Sequence, residues 1–329
     1  MQTYIIRRLL LVIPTAFFIS LIVFFLFRLV PGDIVDAIMF AMEEQGEIDP
    51  VDEIILQRQF GLDASVIEQY GRFLGVTKQK DGIYAGLLQG DLGYSWITRQ
   101  PVTEMIKKKI PITLELGIFA LIIAQLIALP IGVVSALRQN TWADYLGRSF
   151  AILAISVPSF WIATVVIVYP SIWWGYVPAI RWVGFTDNPL KNLNNMIVPV
   201  LVTGLLMSGG NMRMTRTMML EVLRRDFIRT AWSKGLRERV VVYRHALKNA
   251  IIPVITIIGM QVPILIGGSV IIEQIFSLPG MGYMMVMALN ARDYPVVNGV
   301  MLVFAFGIVV INLLVDLTYG ILDPKIKYE

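Results

Sequence analysis

Residues Asp226 to Pro253 read DFIRTAWSKGLRERVVVYRHALKNAIIP, and this polar, basic stretch decides the fold because apolar segments enclose it on both sides. The stretch from Phe227 to Ser233 predicts a short helix, and Gly235 predicts a turn, since glycine adopts a positive φ without steric cost. A second helix is predicted to start near Glu238 and to run toward Pro253. We therefore expect a helix–glycine–helix element between two membrane spans, on the side where Lys and Arg collect and a cytoplasmic partner can reach it.

Composition places the chain among membrane proteins. It is 56% hydrophobic and only 16% charged, with a mean hydropathy of +0.69, whereas soluble domains carry about 25% charged residues. It contains no Cys and one His, which excludes disulfides, thiol chemistry and a metal cage of histidines. The pI near 9.2 reflects positive charges beside hydrophobic segments, which indicates membrane orientation and not binding to nucleic acid.

The hydropathy pattern predicts an all-α polytopic membrane protein with six transmembrane helices, at roughly twenty residues for each span. The fourth is short, is broken by Gly204 and by Gly209–Gly210, and has an alternative extension into Asn211–Met219. The predicted spans are Leu9–Phe27, Ile112–Leu137, Phe150–Tyr169, Met196–Ser208, Ile251–Ile272 and Val297–Leu317.

The distribution of Lys and Arg predicts that both termini are cytoplasmic. Residues 1–30 are interpreted as an uncleaved signal-anchor span and residues 31–110 as an acidic extracytoplasmic insertion that packs on the rim of the spans. In the insertion we predict helices over Asp52–Phe60 and Val66–Leu74, and turns over Gly82–Ser95. Residues 111–329 are then the core domain with the remaining predicted spans, and residues 211–250 form a basic cytoplasmic loop within it.

No catalytic or metal-ligating constellation appears in the sequence, so the chain is not predicted to be an enzyme. Any energy that its function requires must then come from elsewhere, which leaves an ion gradient, a partner ATPase or simple diffusion. The predicted spans carry almost no ionisable residues, which argues against a proton or sodium relay. Small, helix-breaking and polar residues of the fifth span are our candidates for a hinge or a pore: Gly259, Gln261, Pro263, Gly267, Gly268 and Ser269.

The basic stretch also carries a family resemblance. Ala231, Gly235 and Leu247 have the spacing of the EAA loop of ABC-importer permeases, although Arg229 replaces the usual Glu and Lys248 the usual Pro. These departures resemble the variant loop of the dipeptide/oligopeptide (peptide/nickel) permease family. The matching residues here are Arg229-Thr230-Ala231, Lys234-Gly235 and His245-Ala246-Leu247-Lys248-Asn249-Ala250.

Further motifs extend the resemblance over nearly the whole chain, in the family's order and spacing. The long insertion after the first span is similar to that of the B-type permease subunit rather than its C-type partner. The motifs are Pro31-Gly32-Asp33, Gly90-Asp91-Leu92-Gly93-Tyr94-Ser95, Pro111-Ile112-Thr113-Leu114-Glu115-Leu116, Pro279-Gly280-Met281-Gly282, Arg292-Asp293-Tyr294-Pro295 and Leu322-Asp323-Pro324-Lys325-Ile326.

The resemblance implies the six-span ABC type I importer permease fold in a prokaryotic cytoplasmic (inner) membrane. It implies a pore shared with a homologous C-type permease subunit, two ABC ATPase subunits inside, and an extracytoplasmic binding protein that delivers di- or oligopeptides. It implies no cofactor on this chain, with ATP and Mg held by the ATPases. It makes residues 111–329 the core permease domain and residues 211–250 its cytoplasmic coupling loop. The expected coupling residues in that loop are Arg229, Thr230, Ala231, Lys234, Gly235, Leu236 and His245. The residues expected at the outer gate or the binding-protein contact are Glu273, Pro279, Gly280, Met281 and Gly282.

Alternatives remain open at this point. The same machinery carries nickel chelates, haem, glutathione or oligosaccharides in other members of the family, and the sequence contains no test of the cargo. An ion-coupled secondary transporter would need charges inside the spans and repeated broken helices, which the sequence does not display. A non-transporting scaffold would leave the helix–glycine–helix element without a purpose.

Overall fold

The computed structural model describes residues 2–26, 35, 39, 54–58, 62–79, 81–175 and 182–322. Over these ranges the chain forms helices and turns, with an isolated bridge between Tyr94 and Pro101 in place of any strand, so the predicted all-α class is confirmed. The chain divides into two compact units. The first is formed mainly by residues 112–279 and 310–329, and the second by residues 2–111 and 280–309.

The helices are numbered here in chain order. Helix α8 has three parts, which are Glu238–Val240, a π-helical Val241–Leu247 and the long Lys248–Ile275. The others are α1 (Gln2–Leu26), α2 (Val66–Leu74), α3 (Val102–Leu137), α4 (Trp142–Ser156), α5 (Ser159–Trp174), α6 (Pro189–Leu223), α7 (Asp226–Ser233), α9 (Met281–Asn290) and α10 (Tyr294–Leu322).

Within the described part of the chain, four helical segments are long and apolar enough to cross a bilayer: Val102–Leu137, Pro189–Leu223, Glu238–Pro263 and Tyr294–Val315. A fifth span results if α4 and α5 are counted together. The apolar part of α1, Leu10–Leu26, lies where the first span was predicted but is shorter than these. Each predicted span thus coincides with a described helix or, for the third, with a pair of helices, and the described helices support four or five of the six by length and composition.

The third predicted span, Phe150–Tyr169, is not one continuous helix. Helices α4 and α5 meet at a bend of 95°. The cause is Pro158, which has no N–H to donate and which forces the residue before it out of the helical region. Val157 is accordingly extended, with φ −89° and ψ 127°. This part of the chain is therefore a broken helix pair.

The fourth predicted span is longer than its predicted core, because α6 runs unbroken from Pro189 to Leu223. Our expectation that Gly204 and Gly209–Gly210 break it was wrong. A Cβ at Gly204 would lie 2.9 Å from the carbonyl oxygen of Ala120, and one at Gly209 would lie 2.9 Å from that of Ala151. These two glycines therefore let α6 approach the backbones of α3 and α4, as small residues do between membrane helices.

In the second unit, α2 packs against α1 through aromatic rings. Phe24 of α1 lies 5.1 Å from Tyr70 and 5.4 Å from Phe73, measured between ring centroids, and Ser20 shares a hydrogen bond of 2.9 Å with the Tyr70 hydroxyl. The predicted helix Val66–Leu74 is confirmed, with Ser65 as its N-cap. The acidic residues between 33 and 53 lie outside the described residues, as does the motif Pro31-Gly32-Asp33. Of the helix predicted over Asp52–Phe60, residues 54–58 are described, and they are helical.

The same unit joins two of the motifs that carried the resemblance. The Asp293 carboxylate, just before α10, accepts a hydrogen bond from the Ser95 hydroxyl at 2.5 Å and another from the Trp96 backbone N–H at 3.0 Å. Ser95 is fully buried and Asp293 nearly so. The segment Gly90–Ser95, where the sequence predicted turns, is therefore fixed to the start of α10 by buried hydrogen bonds.

Candidate functional site

The element predicted from the opening stretch is present in the first unit. Helix α7 ends at Ser233, Gly235 has φ +74°, and α8 begins at Glu238 after an extended Arg237. Among the described residues, and apart from its two chain neighbours, no heavy atom lies within 4 Å of a Cβ placed on Gly235. The demand for glycine is therefore conformational and not steric, because only the left-handed φ disfavours a side chain there. The helix–glycine–helix prediction is confirmed.

One face of α7 is buried. Its contacts are Ile228, which is fully buried, and Ala231, which is nearly so. Both belong to an apolar cluster, called here the inner cluster, that is made by four elements of the first unit. Its other members are Val133 and Ala136 of α3, Met219 and Val222 of α6, and Val241, Val242, Ala246 and Ala250 of α8. The short helix α7 is thus attached by close packing to three long helices.

The π-helical segment Val241–Leu247 supplies part of this packing. A π-helix widens the turn by a residue, and such segments are frequent at functional sites. Here it places Val241, Val242 and Ala246 in the inner cluster while Tyr243 and Arg244 are exposed. The sequence did not reveal it, because π- and α-helices share composition and differ only in hydrogen-bond register.

The opposite side of the element is an exposed surface, called here the docking face. It combines large apolar side chains with cations, and the ion pair of Arg229 with Asp226 is long, at 3.6 Å, and exposed. The apolar members are Phe227, Trp232, Leu236 and Tyr243, and the cations are Arg229, Lys234, Arg237, Arg239 and Arg244. Exposed aromatic and Arg side chains are typical of the centres of protein interfaces. Of the four apolar residues, sequence reasoning had singled out only Leu236.

The predicted coupling residues divide between the two sides. Arg229, Thr230, Lys234, Gly235 and Leu236 are exposed, and His245 is half-buried. Ala231 lies in the inner cluster, so its side chain holds α7 close to its neighbours and does not offer a contact surface. A small residue is needed there because a larger one would push α7 outward.

The hinge or pore candidates lie on α8, which continues through Pro253 and Pro263 without a break. Gln261 donates a hydrogen bond of 2.7 Å to the side-chain oxygen of Asn211 on α6. Ser269 is buried and Gly267 is exposed, with open space around its Cβ position. Gly259 and Gly268 lie in the same helix. Of these candidates, Gln261 thus forms a hydrogen-bonded contact between α8 and α6.

The candidates for an outer gate are mostly buried. The Glu273 carboxylate, at the end of α8, accepts a hydrogen bond of 2.7 Å from Thr113 of α3, and both side chains are inaccessible. Gly280 is the N-cap of α9, and Met281 and Gly282 in its first turn are buried. Pro279 is half-buried. Contact of these residues with another protein therefore requires a rearrangement or is confined to Pro279.

A polar network that the sequence did not predict joins α3, α4 and α6. The Asp144 carboxylate, fully buried, accepts hydrogen bonds from the Ser135 hydroxyl at 2.5 Å and from the Asn140 backbone at 3.0 Å. Arg216 donates to both of its oxygens. A buried carboxylate is tolerated only when it is paired and fully hydrogen-bonded, as this one is.

Comparison with known proteins identifies this architecture. The family described as "Binding-protein-dependent transport system inner membrane component" matches residues 128–328, and the N-terminal family of the same transport components matches residues 1–117. The chain belongs to this family. It is accordingly a permease subunit of an ABC importer, a multi-pass protein of the inner membrane without a catalytic role of its own. Such permeases function with ATPase and binding-protein partners.

Relatives are similar to this permease over its full length. The dipeptide transport system permease protein DppB of Escherichia coli K12 is 37% identical over 352 residues, and that of Alkalihalophilus pseudofirmus is 38% identical over 354 residues. A Brucella abortus permease that is provisionally named for peptide transport is 39% identical over 329 residues. In all three pairs the match covers 100% of both chains.

A solved structure supports the fold. A crystal structure of an amino acid ABC transporter with histidines superimposes with a TM-score of 0.53 and 13% identity, over 66% of this permease and 94% of the other chain. At this level of identity the likeness concerns the fold and not the cargo.

Proposed function

We infer that this permease forms half of a translocation pore for di- and oligopeptides that an extracytoplasmic binding protein delivers. The observation that carries the substrate class is its identity of 37–39%, over full length, with permeases named for dipeptide or peptide transport. Nickel chelates, haem, glutathione and oligosaccharides are the alternative cargoes. The other half of the pore is expected to be a homologous C-type permease subunit.

The docking face supports a proposal for how transport is driven. Its exposed apolar side chains and cations fit a groove on an ATPase subunit, and two such subunits are expected, one for each permease. ATP and Mg are held by those subunits, and this chain is expected to bind no cofactor. When ATP binding closes the ATPase pair, α7 moves together with the ATPase groove in which it is docked.

The inner cluster then determines what moves with α7. Because Ile228 and Ala231 pack on α3, α6 and α8, a displacement of α7 is passed to three long helices at once. We expect the spans to switch between inward-facing and outward-facing packings, with the nucleotide state setting the population of each. Both chain termini are assigned to the cytoplasmic side, as is the docking face.

Uptake measurements test the cargo. Cells that express the complete transporter are given a labelled dipeptide, with and without this chain, and unlabelled tripeptides, nickel chelates, haem, glutathione and oligosaccharides are added as competitors. We expect uptake to require this chain and to be inhibited by the peptides alone. Inhibition by one of the other cargoes, with peptides ineffective, would assign the transporter to that cargo and reject the peptide proposal.

A further inference from the structure

One face of α4 has an ordered sequence of side chains. Trp142, Tyr145, Arg148, Ile152 and Ile155 are spaced by three, three, four and three residues, which places them on a single helical face. Trp142 is 81% exposed, and Tyr145, Ile152 and Ile155 are exposed as well. Along the helix, aromatic rings are followed by a cation and then by aliphatic side chains. This is the order of a helix that passes from the membrane interface into hydrocarbon.

A cavity of about 590 Å³ lies beside this face, between α4 and α6. Three of the side chains that line it are cationic, namely Arg148, Arg213 and Arg216. Its apolar wall includes Ile152, Ile155 and Met212. None of the described residues that line it is acidic. The cavity is therefore amphipathic, with guanidinium groups and an aliphatic wall in one space.

The charges of these three arginines are not equally compensated. Arg216 is neutralised by Asp144, to which it donates two hydrogen bonds. Arg148 and Arg213 have no carboxylate partner among the residues that the structure describes. The Arg148 guanidinium instead lies 5.9 Å from the centre of the Tyr145 ring. Two uncompensated guanidinium groups beside one cavity attract an anion, and the planar fork of a guanidinium group matches the oxygens of a phosphate or a carboxylate.

We propose that this cavity binds an anionic phospholipid, with the phosphate on Arg148 and Arg213 and an acyl chain along Ile152 and Ile155. A soluble anion would use the guanidinium groups but would leave the aliphatic wall exposed. A phospholipid pairs its phosphate with the guanidinium groups and covers the aliphatic wall with an acyl chain. Basic pockets between membrane helices are known sites for anionic headgroups. The inference does not depend on which substrate the permease carries.

Native mass spectrometry of the complete transporter tests the proposal. The wild type and the variant Arg148→Gln/Arg213→Gln are purified with their partner subunits and titrated with phosphatidylglycerol in mild detergent. We expect the wild type to bind the lipid and the double variant to bind it about 30-fold more weakly. The affinity falls because each of the two removed cations attracts the anionic headgroup. Arg216 is left in place, because its loss would disturb Asp144.

A matched control removes two other cations. Lys107→Gln/Lys108→Gln deletes the same charge from exposed positions on α3, and we expect it to bind phosphatidylglycerol as the wild type does. An equal loss of lipid affinity in both double variants would show that binding depends only on net charge, and it would overturn the proposed site. Binding that is unchanged in Arg148→Gln/Arg213→Gln would also overturn it.

Two further measurements distinguish the other occupants. Phosphatidylcholine and inorganic phosphate are titrated in parallel, and we expect neither to raise the melting temperature of delipidated transporter as phosphatidylglycerol does. A phosphate effect as large as that of the lipid would show a soluble anion site and reject the lipid. Efficient disulfide crosslinking, with an added oxidant, between Ile152→Cys and a cysteine introduced into the second permease subunit, with no lipid retained, would show that protein fills the cavity and would likewise reject the lipid.

Discussion

Arg216 of α6 donates hydrogen bonds to both carboxylate oxygens of Asp144 at the start of α4, with Nε–Oδ1 and Nη2–Oδ2 distances of 2.7 and 2.8 Å. The carboxylate is fully buried, and the arginine side chain keeps 17% of its surface exposed. Planar two-point pairing of this kind fixes orientation as well as distance. The pair therefore sets how the broken helix pair α4–α5 is held against α6.

Asp144→Asn is expected to destabilise the permease strongly. Removing one partner of a buried pair leaves the other charge uncompensated, which costs about 3–5 kcal/mol, and the partial exposure of Arg216 places this case near the lower end. The melting temperature of the purified transporter measures the effect. Arg225→Gln is the control, because it breaks an exposed pair with Glu221 that contributes about 0–1 kcal/mol.

The double variant Asp144→Leu/Arg216→Met sharpens this test. Replacing both charges by apolar groups of similar size is often neutral, so we expect it to recover part of the lost stability. A double variant that melts no higher than Asp144→Asn would show that the hydrogen bonds of Ser135 and Asn140 to the carboxylate matter more than its charge.

Gly235→Val is expected to reduce ATP-driven uptake at least tenfold while insertion into the membrane survives. A β-branched residue at φ +74° costs about 1–3 kcal/mol of backbone strain, which the turn relieves by moving the docking face. Uptake and co-purification of the ATPases are the measurements. Gly82→Val supplies a matched control, since Gly82 has φ +82° and equally open surroundings but lies in the other unit. If both variants lose uptake equally, strain in general and not the docking face is responsible.

Trp232→Ala is expected to weaken ATPase binding about 30-fold while lowering the melting temperature of the permease less than truncation of a core aromatic would. Trp232 is 45% exposed in this chain, so only part of its apolar surface is used in folding, whereas truncating a central aromatic residue of an interface typically costs about 2 kcal/mol or more. Binding is measured by titrating purified ATPase onto permease in detergent. The control Trp174→Ala removes an exposed Trp of α5 and should leave the affinity unchanged. Normal affinity in Trp232→Ala would place the ATPase contact elsewhere.

Local features of the fold could be predicted from the sequence, and non-local ones could not. The turn at Gly235 and the helix Val66–Leu74 follow from residues within a few positions, and both are confirmed. The bend at Val157–Pro158 was missed because proline alone is ambiguous, and α8 contains Pro253 and Pro263 without breaking.

The candidate site divides in the same way. The exposure of Arg229 and Lys234 agrees with their polar character, but the burial of Ala231 depends on residues of α3, α6 and α8 that lie far away in the chain. Likewise, Ser95 and Asp293 stand 198 positions apart, and neither motif indicates that the other is its partner. Contacts of this kind arise from tertiary packing, which periodicity and short motifs do not encode.

Two adjacent glycines of α6 provide a test of its close packing. A Cβ at Gly209 would lie 2.7 Å from the Cβ of Ala154 and 2.9 Å from the carbonyl oxygen of Ala151, and a backbone atom cannot move aside. At Gly210 the nearest described atom outside the local helix backbone is Nε2 of Gln261, which lies 4.0 Å from the Cβ position. We therefore expect Gly209→Ala to destabilise by about 1–3 kcal/mol through overpacking and to lower the melting temperature. Gly210→Ala should be neutral or stabilising by up to about 1 kcal/mol, because alanine favours the helix. Equal effects at both positions would mean that α6 and α4 have room to separate, and that Gly209 is not what sets their distance.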